Sequence, residues 1–168
     1  IGDYALVTDG LWRKSLSAIR DLGKHGINVY VTGDTYLSTG MWSRYCYKKN
    51  KLPLVNDENY REEFINVIKK MSDKPVIFPM EESTILWCSN NYDDIKNDCY
   101  ILMPSNKSLN IALNKSETIR AALSINVPCP KTFFPKNAVE LKQIIKEQNM
   151  VDYVIKPYRG SGSSGLLY

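Results

Sequence analysis

The chain has 168 residues, of which 43% are hydrophobic and 24% are charged, and its formal net charge is +4. This composition is typical of one or two globular domains and excludes disordered and collagen-like chains. Apolar runs are shorter than the roughly 18 residues of a membrane-spanning helix, and the N-terminus lacks the regions of a signal peptide, so we expect a cytoplasmic protein without membrane contact.

The start of the chain predicts a strand, a helix and a second strand. YALVTDG (residues 4–10) is an apolar run that ends on a turn, which is typical of a buried parallel strand. Apolar residues then recur at helical spacing until GKHG (residues 23–26) ends the helix. INVYVTGD (residues 27–34) predicts the second strand.

The same alternation continues as far as residue 104. The pattern predicts a helix over residues 58–72, a third strand at PVIFP (75–79), a helix over 81–91 and a fourth strand at CYILMP (99–104). Alternating strands and helices favour an α/β class with a doubly wound parallel sheet, here a Rossmann-like layer.

The sequence changes in character after Pro104. Residues 105–126 predict a mostly helical segment, and the prolines of VPCP (127–130) interrupt it. We therefore place one domain over residues 1–106 and a second over 107–168. The first holds 13 basic and 14 acidic residues, whereas the second holds 9 and 4. That basic excess fits either a solvated surface or a segment that handles a polyanion.

The second domain continues with an extended KTFFP, a helix, a strand and a loop. The helix has an apolar face at Ala138, Leu141, Ile144 and Ile145, and Asn137 with Glu140 fits a capping box at its start. DYVIKP (152–157) predicts a strand, a glycine loop follows it, and GLLY (165–168) predicts the beginning of another strand.

The glycine loop satisfies the letters of two nucleotide motifs but not their context. Gly160, Gly162 and Gly165 spell G-x-G-x-x-G, yet the dinucleotide fingerprint belongs at the first strand-to-helix turn, which here is TDG. A Walker loop needs a lysine where Leu166 stands. Two alternatives remain open: a flexible Gly/Ser linker, and a hairpin that covers the phosphates of ATP.

The residue types of the loop suit the second alternative. Glycines let backbone N–H groups approach phosphate oxygens, and polar side chains add further donors. The candidate phosphate-binding residues are Lys156, Arg159, Gly160, Ser161, Gly162, Ser163, Ser164 and Gly165.

VIKPYRGSGSSG resembles the ATP-grasp superfamily, in which a strand ending in Lys-Pro and a Gly/Ser-rich loop form one wall of the nucleotide cleft. NKSETIRAALSINVPCPKTFF is similar to the connector that precedes this strand in the family. The resemblance implies a Rossmann-like domain followed by the start of an α+β ATP-grasp domain. It also implies that Lys115, the connector lysine, reaches the nucleotide phosphates.

The predicted position of Lys115 in a helix also suggests an anion site, independently of the resemblance. Asn114 and Glu117 fit an N-cap pair that puts Lys115 in the first turn of a helix, where the macrodipole disfavours a cation. A bound anion would relieve that conflict. The alternative is an exposed, solvated lysine.

VTDG, AIRDLGKHGINVYV and WSRYC resemble the carbamoyl-phosphate-synthase-like, carboxylate-amine ligase branch of the superfamily. The resemblance implies substrate contacts at Gly33, Asp34, Ser43, Arg44, Glu81 and Glu82. Two of these regions have alternatives: the basic and aromatic residues 44–51 fit a nucleic-acid patch or a solvated face, and the two glutamates fit acids at a helix N-terminus.

The resemblance implies an ATP- and Mg²⁺-dependent ligase that converts a carboxylate to an acyl phosphate for attack by an amine. The family's catalytic residues and metal ligands follow the glycine loop, so we expect them downstream of Tyr168, no metal ligands within this chain and no activity of this part alone. The expected partners are ATP, a small carboxylate and an amine. We expect no nucleic acid, and pairing of two copies through the N-terminal layer is compatible with the family.

Two other classes of function are alternatives to the ligase. One is a stand-alone α/β module that binds a nucleotide or small molecule without catalysis. The other is a receiver-type interaction domain, which is disfavoured because PVIFP has no aspartate.

Cysteine and histidine usage restricts the chemistry further. Cys46, Cys88, Cys99 and Cys129 form no C-x-x-C pair, so we expect free, buried thiols. His25, the only histidine, stands at a predicted helix end, where we expect it to cap the helix. Histidine-dependent metal sites and catalytic triads are thereby disfavoured.

Overall fold

A computed structural model describes residues 3–149 and 152–160 of the chain. These residues divide between Pro104 and Ser105 into two compact units, which we call unit 1 and unit 2. The division falls two residues before the boundary that the sequence predicted. None of the helices in the described ranges has the length and apolar character needed to cross a bilayer.

Unit 1 contains a four-stranded sheet in which every strand pair is parallel, so the predicted α/β class is confirmed. The strand order is β3-β2-β1-β4, with β1 and β2 in the centre. The strands are β1 (Tyr4–Val7), β2 (Asn28–Gly33), β3 (Cys46–Lys51) and β4 (Val76–Phe78).

Helices of unit 1 cover both faces of the sheet. Val7, Val29 and Val31 pack with Ile19 of α1, while Leu6 and its neighbours on the other face form a core with α2 and α3. This split follows from the alternation of side chains along a strand. The helical elements are α1 (Arg13–Lys24), a 3₁₀ turn (Thr39–Trp42), α2 (Tyr60–Lys69), α3 (Glu82–Asn90) and α4 (Tyr92–Ile95).

Two strand assignments in unit 1 differ from the sequence analysis. Strand β3, CYKKNK, was missed because its polar composition hides an edge strand that pairs on one side only. The predicted fourth strand, residues 99–104, is wrong: only Tyr100 pairs, in an isolated bridge to Val76. Residues 101–104 have no strand structure, and Leu102 is 98% exposed.

His25 and the cysteines largely follow the sequence analysis. His25 is the C-cap of α1, and its backbone N–H donates to the carbonyls of Asp21 and Leu22. All four cysteines are free. Cys88 and Cys99 are buried as expected, whereas Cys46 and Cys129 are only half-buried.

The described part of unit 2, residues 105–149 and 152–160, contains the helices α5 (Asn106–Leu113), α6 (Lys115–Ser124) and α7 (Ala138–Glu147). The predicted helical segment breaks at Asn114, whose extended backbone (φ −115°, ψ 111°) lets its side chain cap α6. The strand predicted at residues 152–157 is wrong for the described part, because only Ile155 forms a bridge. The predicted strand start at 165–168 lies outside the described residues.

The predicted cap of α7 is present. The Asn137 Oδ1 accepts hydrogen bonds from the backbone N–H groups of Val139 and Glu140, over 3.0 and 2.9 Å. The Glu140 carboxylate accepts from the N–H of Lys136, one residue before the cap, over 2.8 Å. The Asn137 contacts satisfy N–H groups that the start of a helix leaves unpaired, whereas Glu140 reaches one residue beyond the N–H of Asn137 that a capping box would use.

Candidate functional site

Lys115 lies at the N-terminus of α6, where the capping pattern predicted it. The Asn114 Oδ1 accepts hydrogen bonds from the N–H groups of Ser116 and Glu117, over 3.0 and 3.4 Å. The Glu117 carboxylate lies 3.8 Å from Arg120 instead of returning to the cap, so the box is only half formed. The observed cap nevertheless fixes the start of the helix at Lys115.

Two contacts join Lys115 to the segment that follows Lys156 and Pro157. Its backbone N–H donates to the carbonyl of Tyr158 over 2.9 Å. Its ammonium Nζ donates to the carbonyl of Gly160 over 2.7 Å. The structure thus brings the connector lysine to the base of the glycine loop, 45 residues later in the chain.

Lys115 and Lys156 line the same cavity of unit 2, which has a volume of about 1370 Å³. The cavity lies among α6, residues 130–138, α7 and residues 152–158. Its apolar wall includes Ile119, Phe133, Phe134, Leu141, Ile144 and Ile145. An apolar concavity with a few charged groups at its margin is the usual form of a small-molecule site.

The apolar wall of this cavity is only half-buried within the described part of unit 2. Only Leu109 and Ser116 of residues 105–149 and 152–160 are buried, and α7 has no buried residue. A unit of about 60 residues needs extensive burial to be stable. A bound ligand or additional polypeptide on this wall would supply burial that these residues lack.

The other loop residues are less constrained. Lys156 and Arg159 are exposed. Gly160 has a φ of 111° and open space around the position of a Cβ atom, so only glycine suits this backbone comfortably. The predicted residues Ser161, Gly162, Ser163, Ser164 and Gly165 lie outside the described residues.

In unit 1, the carboxyl ends of β1 and β4 form the crevice where parallel sheets usually bind ligands, because the strand order reverses there. The centre of this crevice is Asp9, which the sequence analysis did not select. Its Oδ2 accepts hydrogen bonds from the N–H groups of Met80 and Glu81, over 3.3 and 3.0 Å. Its Oδ1 accepts from the hydroxyl of Thr84 over 3.0 Å. The motif TDG, which predicted a turn after β1, was the sequence feature that could have indicated Asp9.

The predicted pair Glu81 and Glu82 flanks this carboxylate. Glu81 forms an ion pair with Lys14, with 2.6 Å between Nζ and Oε1, and Glu82 is the first residue of α3. The N–H groups before α3 already bond to Asp9. Glu81 is the N-cap residue of α3 and Glu82 lies in its first turn, where the helix dipole favours an acid.

The remaining predicted substrate residues lie at two ends of the sheet. Gly33 ends β2 and Asp34 follows it at the carboxyl edge, where Glu81 also lies. Ser43 and Arg44 precede β3, so they lie at the opposite, amino edge. The Arg44 guanidinium donates to the hydroxyl of Tyr45 over 2.6 Å. The structure does not bring Arg44 into the crevice.

The basic and aromatic residues of 44–51 form the edge strand and its approach. Lys49 Nζ lies 3.7 Å from the ring centroid of Trp42, and Lys48 Nζ lies 6.0 Å from that of Tyr30. Lysines on an exposed edge also discourage pairing with a further strand. This arrangement gives the basic run a structural role at the edge of the sheet.

The described residues place no metal-binding cluster, and their two buried thiols are not activated as nucleophiles. Across 3–149 and 152–160, no group of three or more His, Cys, Asp or Glu side chains is placed to hold a metal ion. Burial raises the pKa of the Cys88 thiol to about 12 and that of Cys99 to about 11. Thiols held in the protonated form are poor nucleophiles, so these two serve the core.

No protein-family model and no curated protein matches this chain. The similarity to ATP-grasp enzymes thus stays a prediction drawn from the residues.

Proposed function

We propose that the chain is the N-terminal part of an ATP-dependent ligase that activates a carboxylate as an acyl phosphate for attack by an amine. The observation that carries this proposal is the contact between Lys115 and the Tyr158–Gly160 segment, together with the shared position of Lys115 and Lys156 on one cavity. The sequence resemblance assigned both lysines to ATP.

The proposed chemistry needs cations where charge builds up on transferred phosphoryl oxygens. A carboxylate oxygen of the substrate attacks the terminal phosphorus of ATP, and ADP leaves. The amine then attacks the acyl carbon, inorganic phosphate leaves, and an amide forms. Lys115 and Lys156 would bind the phosphates of ATP, and the resemblance implies that the residues that hold its base follow the glycine loop.

The described residues limit what can be assigned beyond ATP. Among residues 3–149 and 152–160, no group of three or more His, Cys, Asp or Glu side chains could hold a metal ion, so we assign no Mg²⁺ ligand and derive no step through the metal. For the amine, the carboxyl edge of unit 1 offers the acids Asp34, Glu81 and Glu82 beside Gly33, whereas Ser43 and Arg44 lie at the opposite edge. We expect the complete enzyme to act in the cytoplasm.

The test is ATP binding by the Lys156→Ala variant. We expect its Kd for ATP, measured by calorimetry, to rise at least about tenfold, because a charge-assisted contact to phosphate is lost. Lys107→Ala is the matched control, since Lys107 is an exposed lysine of unit 2 on α5. Unchanged ATP affinity in Lys156→Ala, or no ATP binding by the wild type, would sink the proposal.

A stand-alone binding module is the second candidate. The half-buried apolar wall of the cavity in unit 2 favours it. Such a module would bind an apolar ligand through contacts that do not need Lys156. Binding of 8-anilinonaphthalene sulfonate that survives Lys156→Ala and that ATP does not displace would support this alternative. Displacement by ATP would favour the ligase.

A further inference from the structure

We propose that Lys115 is a positioning residue that fastens the base of the glycine loop to the N-terminus of α6. Its ammonium holds the carbonyl of Gly160 at 2.7 Å, and its backbone N–H holds the carbonyl of Tyr158 at 2.9 Å. One residue therefore fixes two points of the same three-residue segment, which we call the loop base (residues 158–160).

The loop base has little else to hold it. Tyr158 is 44% exposed, Arg159 and Gly160 are exposed, and no atom approaches the Cβ position of Gly160 within 4 Å. The only other hydrogen bond of the loop base to the described residues runs from the Tyr158 hydroxyl to the carbonyl of Pro135, over 3.0 Å. Among the described residues, the Lys115 ammonium is the only hydrogen-bond partner of Gly160.

The bond to Gly160 leaves Lys115 able to bind an anion as well. An ammonium group has three N–H donors, and one of them serves Gly160. Within residues 3–149 and 152–160 the other two have no hydrogen-bond partner, so a phosphate oxygen could accept from them. Lys115 would then set the position of the loop before the ligand arrives, which lowers the ordering cost of binding. This second half of the inference rests on the proposed function, and the first half does not.

The first half is tested by limited trypsin digestion of the free protein. Within residues 152–160 trypsin has a favourable site after Arg159, because proline follows Lys156. We expect Lys115→Met to accelerate cleavage after Arg159 by about three- to tenfold, as one charge-assisted hydrogen bond is lost and cleavage follows the opened population. Lys115→Arg, which keeps the donor, should restore most of the protection.

Two further variants make the result specific. Lys107→Met removes an exposed lysine of α5 and should leave cleavage after Arg159 unchanged. Gly160→Ala strains the backbone that presents the carbonyl, at φ 111°, and should accelerate cleavage while Lys115 is intact. The latter also serves if Lys115→Met fails to fold. Cleavage at the wild-type rate in Lys115→Met, or in Gly160→Ala if Lys115→Met does not fold, would overturn the inference.

Calorimetry with ATP separates this inference from the proposed function. Faster cleavage of Lys115→Met together with weaker ATP binding supports both. Faster cleavage with unchanged ATP affinity keeps the fastening role and removes Lys115 from the phosphate site. Weaker ATP binding with unchanged cleavage keeps the ATP site and overturns the fastening role.

Discussion

The carboxylate of Asp9 accepts a hydrogen bond from the backbone N–H of Glu81 over 3.0 Å, and this contact joins the end of β1 to the start of α3. Asp9 has a φ of 54°, a left-handed conformation that aspartate tolerates better than most residues. The turn therefore aims the side chain across the crevice. The protein itself supplies the anion that a helix N-terminus favours, so a substrate anion would need a different partner there.

Asp9→Ala should lower the free energy of unfolding by about 1–3 kcal/mol, because it removes a cap with several bonds and keeps the strained backbone. Asp9→Asn should cost less, since asparagine keeps one acceptor and suits the left-handed region. Urea denaturation provides the measurement. Asp34→Ala is the control: Asp34 is exposed after β2, and its loss should change stability by no more than about 0.5 kcal/mol. Equal losses in the two alanine variants would contradict the capping role.

Gly23→Ala tests the packing of α1 against the segment that leads to β3. An alanine inside a helix normally stabilises it by up to about 1 kcal/mol. At Gly23, however, the added Cβ would lie 2.5 Å from the Cβ of Tyr45 and 2.9 Å from its ring. We expect a net loss of about 1–3 kcal/mol in urea denaturation.

The control for this prediction is Gly26→Asn. Gly26 has a φ of 81° but open space around it, and asparagine tolerates such a backbone best among the other residues. We expect a smaller loss there. A gain in stability for Gly23→Ala would show that helix propensity dominates over the contact with Tyr45.

Local sequence patterns predicted the elements whose apolar residues face one core. Strands β1 and β2 and helix α7 lie within the ranges expected from their apolar spacing. The caps at Asn114 and Asn137 were also foreseen, because a cap is decided by a few neighbouring residues. The lysine-rich β3 was not, because its place depends on pairing with β2, a non-local contact.

The candidate sites depend on long-range contacts and were accordingly harder to foresee. The sequence singled out Lys115 and the glycine loop, but the bond between Lys115 and Gly160 spans 45 residues. For Asp9, the sequence showed only the turn motif TDG. Its hydrogen-bond partners Met80, Glu81 and Thr84 lie 71–75 residues away in the chain, so local patterns did not indicate them. The resemblance assigned Arg44 to the substrate. Strand β3, which the sequence patterns did not predict, places Arg44 at the opposite edge of the sheet.

The reactivity of the four thiols should follow their burial. Cys88 is 0% and Cys99 is 2% exposed, and burial raises the pKa of both thiols. Cys129 is half-buried, and so is Cys46, whose pKa burial also raises. At pH 8 we expect iodoacetamide to modify Cys129 first and Cys46 next, as followed by mass spectrometry of tryptic peptides. Cys88 and Cys99 should react only after unfolding in urea. Early labelling of either would contradict the described core.

Stability should fall as the pH rises above 9, and Cys88 should be a main cause. Burial, with smaller contributions from Cys99 and Asp9, raises the Cys88 pKa from 9.0 to about 12. Between these values the unfolded chain has released the thiol proton and the folded protein still holds it. Because the folded state then binds more protons, the free energy of unfolding decreases with pH across this window and is unaffected by Cys88 below it.

Urea denaturation at pH 7.5, 9 and 10.5 measures this loss directly. Cys88→Ala should lower stability at pH 7.5 through the space it leaves, but it should flatten the decline between pH 9 and 10.5. The decline should not vanish, because burial also raises the pKa of Cys99 and of Tyr60. Cys129→Ala is the matched control and should keep the wild-type slope. A slope in Cys88→Ala equal to that of Cys129→Ala would mean that the Cys88 thiol ionises at the same pH in the folded and unfolded states, and therefore that its burial is incomplete in solution.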